Sequence, residues 1–171
     1  MVLWLIGMSG AGKTVIGREV YVQLKKTYKN IIFFDGDTIR ELMGNDLGYN
    51  ISDRKKNANR ICRLCHFFDA QGIHVICGIL SIFHESQKWN KENIKDYYEV
   101  YLKTSLKILQ MRDSKNLYRQ SQKGETHHVV GMDIKFPEPL NPDLIVHNDG
   151  ADSVEDIAQT IISKLIERKL I

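Results

Sequence analysis

The chain has 171 residues, 43% of them hydrophobic, with 24 Lys+Arg against 21 Asp+Glu and a net charge of +3. That length suits one domain, 1–171, with a full core, and the composition excludes a disordered or low-complexity chain. So weak a positive charge gives no basic stripe for nucleic acid, and no run approaches the roughly 18 consecutive apolar residues of a membrane helix. Met1–Ile6 has neither the basic flank nor the cleavage site of a leader, so a cytoplasmic domain is expected, with no nucleic-acid or membrane partner.

In chain order, the apolar runs Val2–Ile6, Ile31–Phe34, His74–Ile79, Tyr98–Leu102 and Asp143–Val146 read as buried strands. Helical patterns separate them over Thr14–Thr27, Ile39–Met43, Arg54–Ala70, Ser105–Arg112 and Val154–Leu170, the last opening at Asp152-Ser153. Trp89–Asp96 is polar and reads as a surface loop or a short helix, and Pro137, Pro139 and Pro142 mark one loop. Strands alternating with helices imply a parallel five-stranded sheet covered on both faces, a three-layer α/β domain. Cys62 and Cys65 form C-x-x-C inside a helical run with no second pair to complete a zinc site, so reduced thiols are expected.

Gly7-Met8-Ser9-Gly10-Ala11-Gly12-Lys13-Thr14 satisfies G-x-x-x-x-G-K-[ST] at every fixed position, between a strand and an amphipathic helix. The glycines let backbone N–H groups turn inward around a phosphate, and the helix start adds its positive dipole end. Lys13 would bridge the β- and γ-phosphates of ATP, and the Thr14 hydroxyl would be a ligand of Mg²⁺. Asp35-Gly36-Asp37 ends the second strand, where open α/β sheets bind ligands. One of its carboxylates could orient Mg²⁺, and the other could accept the proton of an attacking hydroxyl.

From Leu3 to about Asp149 the chain resembles the adenylylsulfate (APS) kinase family. The family's D-G-D-N-x-R corresponds to Asp35–Arg40 with Thr38 in place of Asn, and its D-L-G-F-S-x-x-D-R run to Asp46–Arg54. The serine turn corresponds to Ile79–His84, the R-D-P-K-G-L-Y-K lid pattern to Arg112–Arg119, and G-I-D to Gly131-Met132-Asp133. The resemblance implies a P-loop kinase with a helical lid at about 113–136, using ATP and Mg²⁺ to phosphorylate the ribose 3′-hydroxyl of a small nucleotide acceptor. It implies Thr14 and Asp35 at the metal, Asp37 as base, and Arg40, Arg54 and Asn57 on the acceptor's anionic end. It further implies Tyr49 on the acceptor base, Ser81 in positioning, Lys115 and Leu117 in the lid over the acceptor, and Arg112 on ATP. A homodimer is also implied.

The departures cluster on the acceptor side. Val129 replaces the second Phe that closes on adenine, Asn59 and Lys56 replace Arg and Glu, and Ile82 and His84 replace Pro and Arg. Losing half of an aromatic sandwich removes roughly 0.5–1.5 kcal/mol of stacking. A branch resembling this family phosphorylates cytidine diphosphoramidate for capsule decoration, and a pyrimidine with an uncharged amidate terminus suits fewer arginines and less stacking. That acceptor is the expected one. APS itself is the alternative, followed by a nucleotide-binding module without turnover and by a gluconate- or shikimate-type kinase.

Overall fold

Every residue of Val2–Ile6 (β1) is fully buried, which only a central strand covered on both faces can achieve. The period of two divides the strand between two cores. Leu3 and Leu5 enter one apolar cluster, while Val2, Trp4 and Ile6 enter the other. The computed structural model describes residues 1–113 and 115–171; Ser114, within the expected lid, lies outside the described residues. Around β1, the strands Ile31–Asp35 (β2), His74–Ile79 (β3), Tyr97–Lys103 (β4) and Leu144–His147 (β5) pair in the order β2-β3-β1-β4-β5, all parallel. The expected three-layer α/β architecture is the one observed.

Helices Lys13–Lys25 (α1) and Val154–Glu167 (α7) cover one face through Ile16, Val20, Ile157, Ile161 and Leu165. The other face lies under Gly36–Leu42 (α2), Ile51–Ala70 (α3) and His84–Asn93 (α4). Leu106–Arg112 (α5) and the short Leu117–Gln122 (α6) stand at the C-terminal end of the sheet. None of the described helices is long and apolar enough to cross a membrane.

Two helices begin earlier than the apolar pattern suggests, because polar caps open them. Asp35 accepts from the Thr38 N–H at 2.9 Å and starts α2 at Gly36, so Asp-Gly-Asp is a helix start instead of a free turn. Asn50 accepts from the Asp53 N–H at 2.9 Å and adds a turn to α3. The third difference is α4, a ten-residue helix where a loop or a shorter helix was expected. It buries Ser86, Gln87 and Asn90, so its inward face carries no apolar period to read. All three cysteines are free and buried.

Candidate active site

The chain leaves β1 at Ile6 and turns through Gly7–Gly12 into α1, so the loop sits at the C-terminal end of the central strand, beside the point where the strand order reverses. Gly10 and Gly12 hold φ of +80° and +89°, a region closed to most side chains. At Gly12 even a Cβ would come within 2.8 Å of Asn148 Nδ2. Lys13 Nζ donates to the Met8 carbonyl at 2.7 Å, across the loop. Burial is the main influence on this ammonium and pulls it down to about 8, against the opposing pull of Asp37.

Thr14 Oγ1 donates to Asp35 Oδ2 at 2.8 Å, bringing together the two groups expected at the metal. The other Asp35 oxygen takes the Thr38 N–H and hydroxyl, both at 2.9 Å. Burial works to raise the Asp35 carboxyl, but the hydrogen bonds from Thr38 and Thr14 outweigh it and hold the group below the usual carboxylate range. Hydroxyl plus carboxylate is an oxygen-only set suited to a hard cation. Among the described residues no group of three or more His, Cys, Asp or Glu side chains is placed to hold a metal ion. Mg²⁺ held with substrate phosphates and water needs few protein ligands. Asp37 is exposed and pairs with Lys115 from the lid segment.

The expected acceptor residues form a second group. Arg40 is buried, and its Nη1 donates to the carbonyls of Leu47 at 3.0 Å and Gly48 at 2.8 Å. Arg54 donates to the Tyr49 carbonyl at 2.7 Å and to the His128 carbonyl at 2.8 Å. Both guanidiniums lie over the exposed Tyr49 ring, at 4.7 and 5.4 Å from its centroid. Burial, then the adjacent Arg40 charge, lowers Arg54 below its ordinary range. Two cations bonded to neutral carbonyls leave positive potential for an anion. Asn57 is buried, and its Oδ1 has no hydrogen-bond partner among the described residues. Ser81 is 1% exposed, and its hydroxyl oxygen accepts from Gln87 Nε2 at 3.3 Å.

The lid packs on the loop. Tyr118 Oη donates to the Ser9 carbonyl at 2.8 Å, and a Cβ at Gly131 would meet Met8 Sδ at 2.9 Å. Leu117 is half-buried against the core. Arg112, at the end of α5, reaches the Gly10 carbonyl and Asn148 Oδ1, each at 3.4 Å. Val129 is 4% exposed and belongs to the core cluster that holds Leu109 and Tyr118, so its side chain lies inside and not on an open face. From that segment, the His128 carbonyl is what meets Arg54. Asp133 secures this turn by accepting from the His128 and Val129 N–H groups, both at 2.6 Å. A cleft of about 740 Å³ along Thr104–Leu106 and residues 131–136 shares only Met8 with the expected site.

Sequence reasoning overlooked Tyr118 and Asn148 as site residues. Tyr118 stands inside the quoted lid pattern, and an aromatic in a short polar helix was its one signal. Asn148 carries no local signal at all.

A phosphate loop at the end of a central parallel strand, with a carboxylate on the next strand and a lid helix against the loop, defines a P-loop kinase. The sequence profile of the adenylylsulphate kinase family matches residues 1–147, and the chain belongs to that family. It is 37% identical over 164 residues to the cytidine diphosphoramidate kinase of Campylobacter jejuni, covering 96% of this chain and 95% of the relative. It is 33% identical to the adenylyl-sulfate kinase of Prochlorococcus marinus, covering 100% of this chain and 86% of that protein. The Mycobacterium tuberculosis APS kinase, solved with AMPPNP and APS, superposes with a TM-score of 0.88 at 29% identity, covering 96% of each chain. This protein is therefore a phosphotransferase that uses ATP and a hydroxyl acceptor.

Proposed function

We propose that the chain transfers the γ-phosphoryl group of ATP to the ribose 3′-hydroxyl of cytidine diphosphoramidate. The observation that carries this reading is the single aromatic face of the acceptor side. Tyr49 is exposed with the Arg40 and Arg54 guanidiniums near its ring, while Val129, where adenine-binding relatives are expected to hold Phe, is buried in the core. One face suits a pyrimidine, whose stacking area is smaller than that of a purine. The 37% identity to the Campylobacter jejuni enzyme supports the same acceptor.

In the mechanism we infer, Asp37 accepts the 3′-hydroxyl proton as the oxygen attacks the γ-phosphorus, and the bond to the bridging β,γ-oxygen breaks. Lys115, paired with Asp37, holds that carboxylate from the lid side and stands beside the acceptor. Lys13 leaves the Met8 carbonyl for the β- and γ-phosphates, and Arg112 holds the nucleotide from the lid side. Thr14 and Asp35 would hold Mg²⁺, which when bound offsets phosphate charge. Ser81, directed by Gln87, positions the acceptor without becoming phosphorylated. The enzyme acts in the cytoplasm, where ATP is supplied, as one domain over 1–171 and as a homodimer. Light scattering tests the last point, since a mass of one chain would remove it.

The decisive measurement is steady-state kinetics on both acceptors side by side. We expect kcat/KM for cytidine diphosphoramidate to exceed that for APS by about tenfold or more. The reverse ratio assigns the protein to APS instead.

A further inference from the structure

Asn148 follows β5 at the sheet edge, only 8% exposed, and both ends of its amide are engaged. Nδ2 donates to the Ala11 carbonyl at 3.0 Å, inside the phosphate loop. Oδ1 accepts from Arg112 Nη2 at 3.4 Å, while Arg112 Nη1 reaches the Gly10 carbonyl at 3.4 Å. The backbone around it is anchored separately. Its N–H donates to the Lys103 carbonyl at 2.9 Å, and its carbonyl accepts from the buried Thr104 hydroxyl at 3.3 Å. The side chain is therefore free of any duty in closing the sheet.

We propose that Asn148 is a positioning residue of the ATP site, a bracket that sets the phosphate loop and Arg112 relative to each other. The argument rests on peptide geometry. No peptide bond in the described chain is cis, so the C=O and N–H of the Ala11–Gly12 unit point in opposite directions. Holding the Ala11 carbonyl against Asn148 turns the Gly12 N–H away from the edge and into the loop, where a phosphate collects such donors. The opposite end of the amide restrains a guanidinium whose own contacts are long. No other uncharged side chain of this size donates and accepts from one rigid group; Asp only accepts, and Leu does neither. The amide's orientation is set by its partners, since a carbonyl cannot donate and a guanidinium cannot accept. The close approach also explains Gly12, where a Cβ would lie 2.8 Å from Nδ2.

The inference rests on the reading of Gly7–Thr14 as the ATP loop, and the test separates the two. Binding of a non-hydrolysable ATP analogue is titrated on the full chain, alongside steady-state kinetics for ATP and for the acceptor. We expect Asn148→Ala to weaken the analogue and raise the KM for ATP by roughly tenfold, with the acceptor KM changed less than about twofold. Asn148→Asp, nearly isosteric, sets a carboxylate against the Ala11 carbonyl and near the triphosphate, and should weaken the analogue further. Analogue affinity within twofold of wild type in Asn148→Ala, or an equal rise in both KM values, overturns the proposal. If neither variant folds, the side chain is a fold element and the proposal falls. If wild type itself does not bind the analogue, the ATP reading fails first.

Discussion

Lys13, in the phosphate loop, is held under opposing electrostatic influences. Burial pulls its ammonium from an ordinary 10.5 to about 8, although Asp37 and Asp35 oppose this. A triphosphate favours the charged form, so ATP binding should take up a proton near pH 8. Affinity should then fall as pH rises from about 8 toward 10.5, by at most about tenfold per unit. The unliganded fold responds in the opposite sense. The unfolded chain holds this proton more tightly than the native one, so the Lys13 contribution to stability rises with pH over the same window. Calorimetric titration in buffers of different ionisation enthalpy checks the uptake, and thermal melts of the free protein check the second sign. Asp37 tests the base. Asp37→Asn should lower kcat by roughly 100-fold while leaving Tm nearly unchanged, because the side chain is 58% exposed. A loss of less than about tenfold in stopped assays would remove Asp37 from that role.

At the scale of elements, α1 must lie close on the sheet for its N-terminus to carry the phosphate loop. Gly17 permits this, since a Cβ there would sit 2.7 Å from Phe33 Cε2 and 3.0 Å from Leu5 Cδ1. Gly17→Ala gains up to about 1 kcal/mol of helix propensity but overpacks the contact by about 1–3 kcal/mol. The net effect should be a lower Tm, by roughly 2–6 °C, in calorimetry. An unchanged or raised Tm would mean that α1 shifts freely on the sheet. The helix opposite shows why some elements were hard to read. α4 packs on α3 and buries Ser86, Gln87 and Asn90, and a polar buried face mimics a surface loop in sequence. The apolar pattern places the start of α2 late, at Ile39, for another reason. Its first residues belong to the Asp35-Gly36-Asp37 turn motif, and the Asp35 side chain that caps it also accepts from Thr14 of the phosphate loop.

Across the whole molecule, the two cores differ in their thiols. Cys62, Cys65 and Cys77 all lie in the cluster under α2, α3 and α4. Burial pushes Cys62 up to about 12 and Cys77 well above its ordinary value, so neither supplies thiolate near neutral pH. Ellman's reagent should therefore find no fast-reacting thiol in the native protein and all 3 after denaturation. A fast native thiol would show that α3 or α4 opens readily. The same burial keeps both thiols of the C-x-x-C spacing away from solvent.

What the sequence alone determined is whatever depends on neighbouring residues or on burial of whole strands. Gly7–Thr14 is legible because its turn, donors and lysine are contiguous, and the central strands β1 and β3 are legible because burial on two faces makes near-continuous apolar runs. The capping of α7 by Ser153 belongs to the same local class. Only the tertiary structure decided which distant groups meet. Tyr118 reaches Ser9 across 109 residues, Asn148 reaches Ala11 across 137, and Lys115 pairs with Asp37 across 78. It also decided that Val129 faces the core and that the Arg40 fork is engaged by two carbonyls. The physical reason is one of range. Turn geometry and hydrophobic period act over a few residues, whereas these pairings exist only after the sheet has set the ends of β1, β4 and β5 side by side.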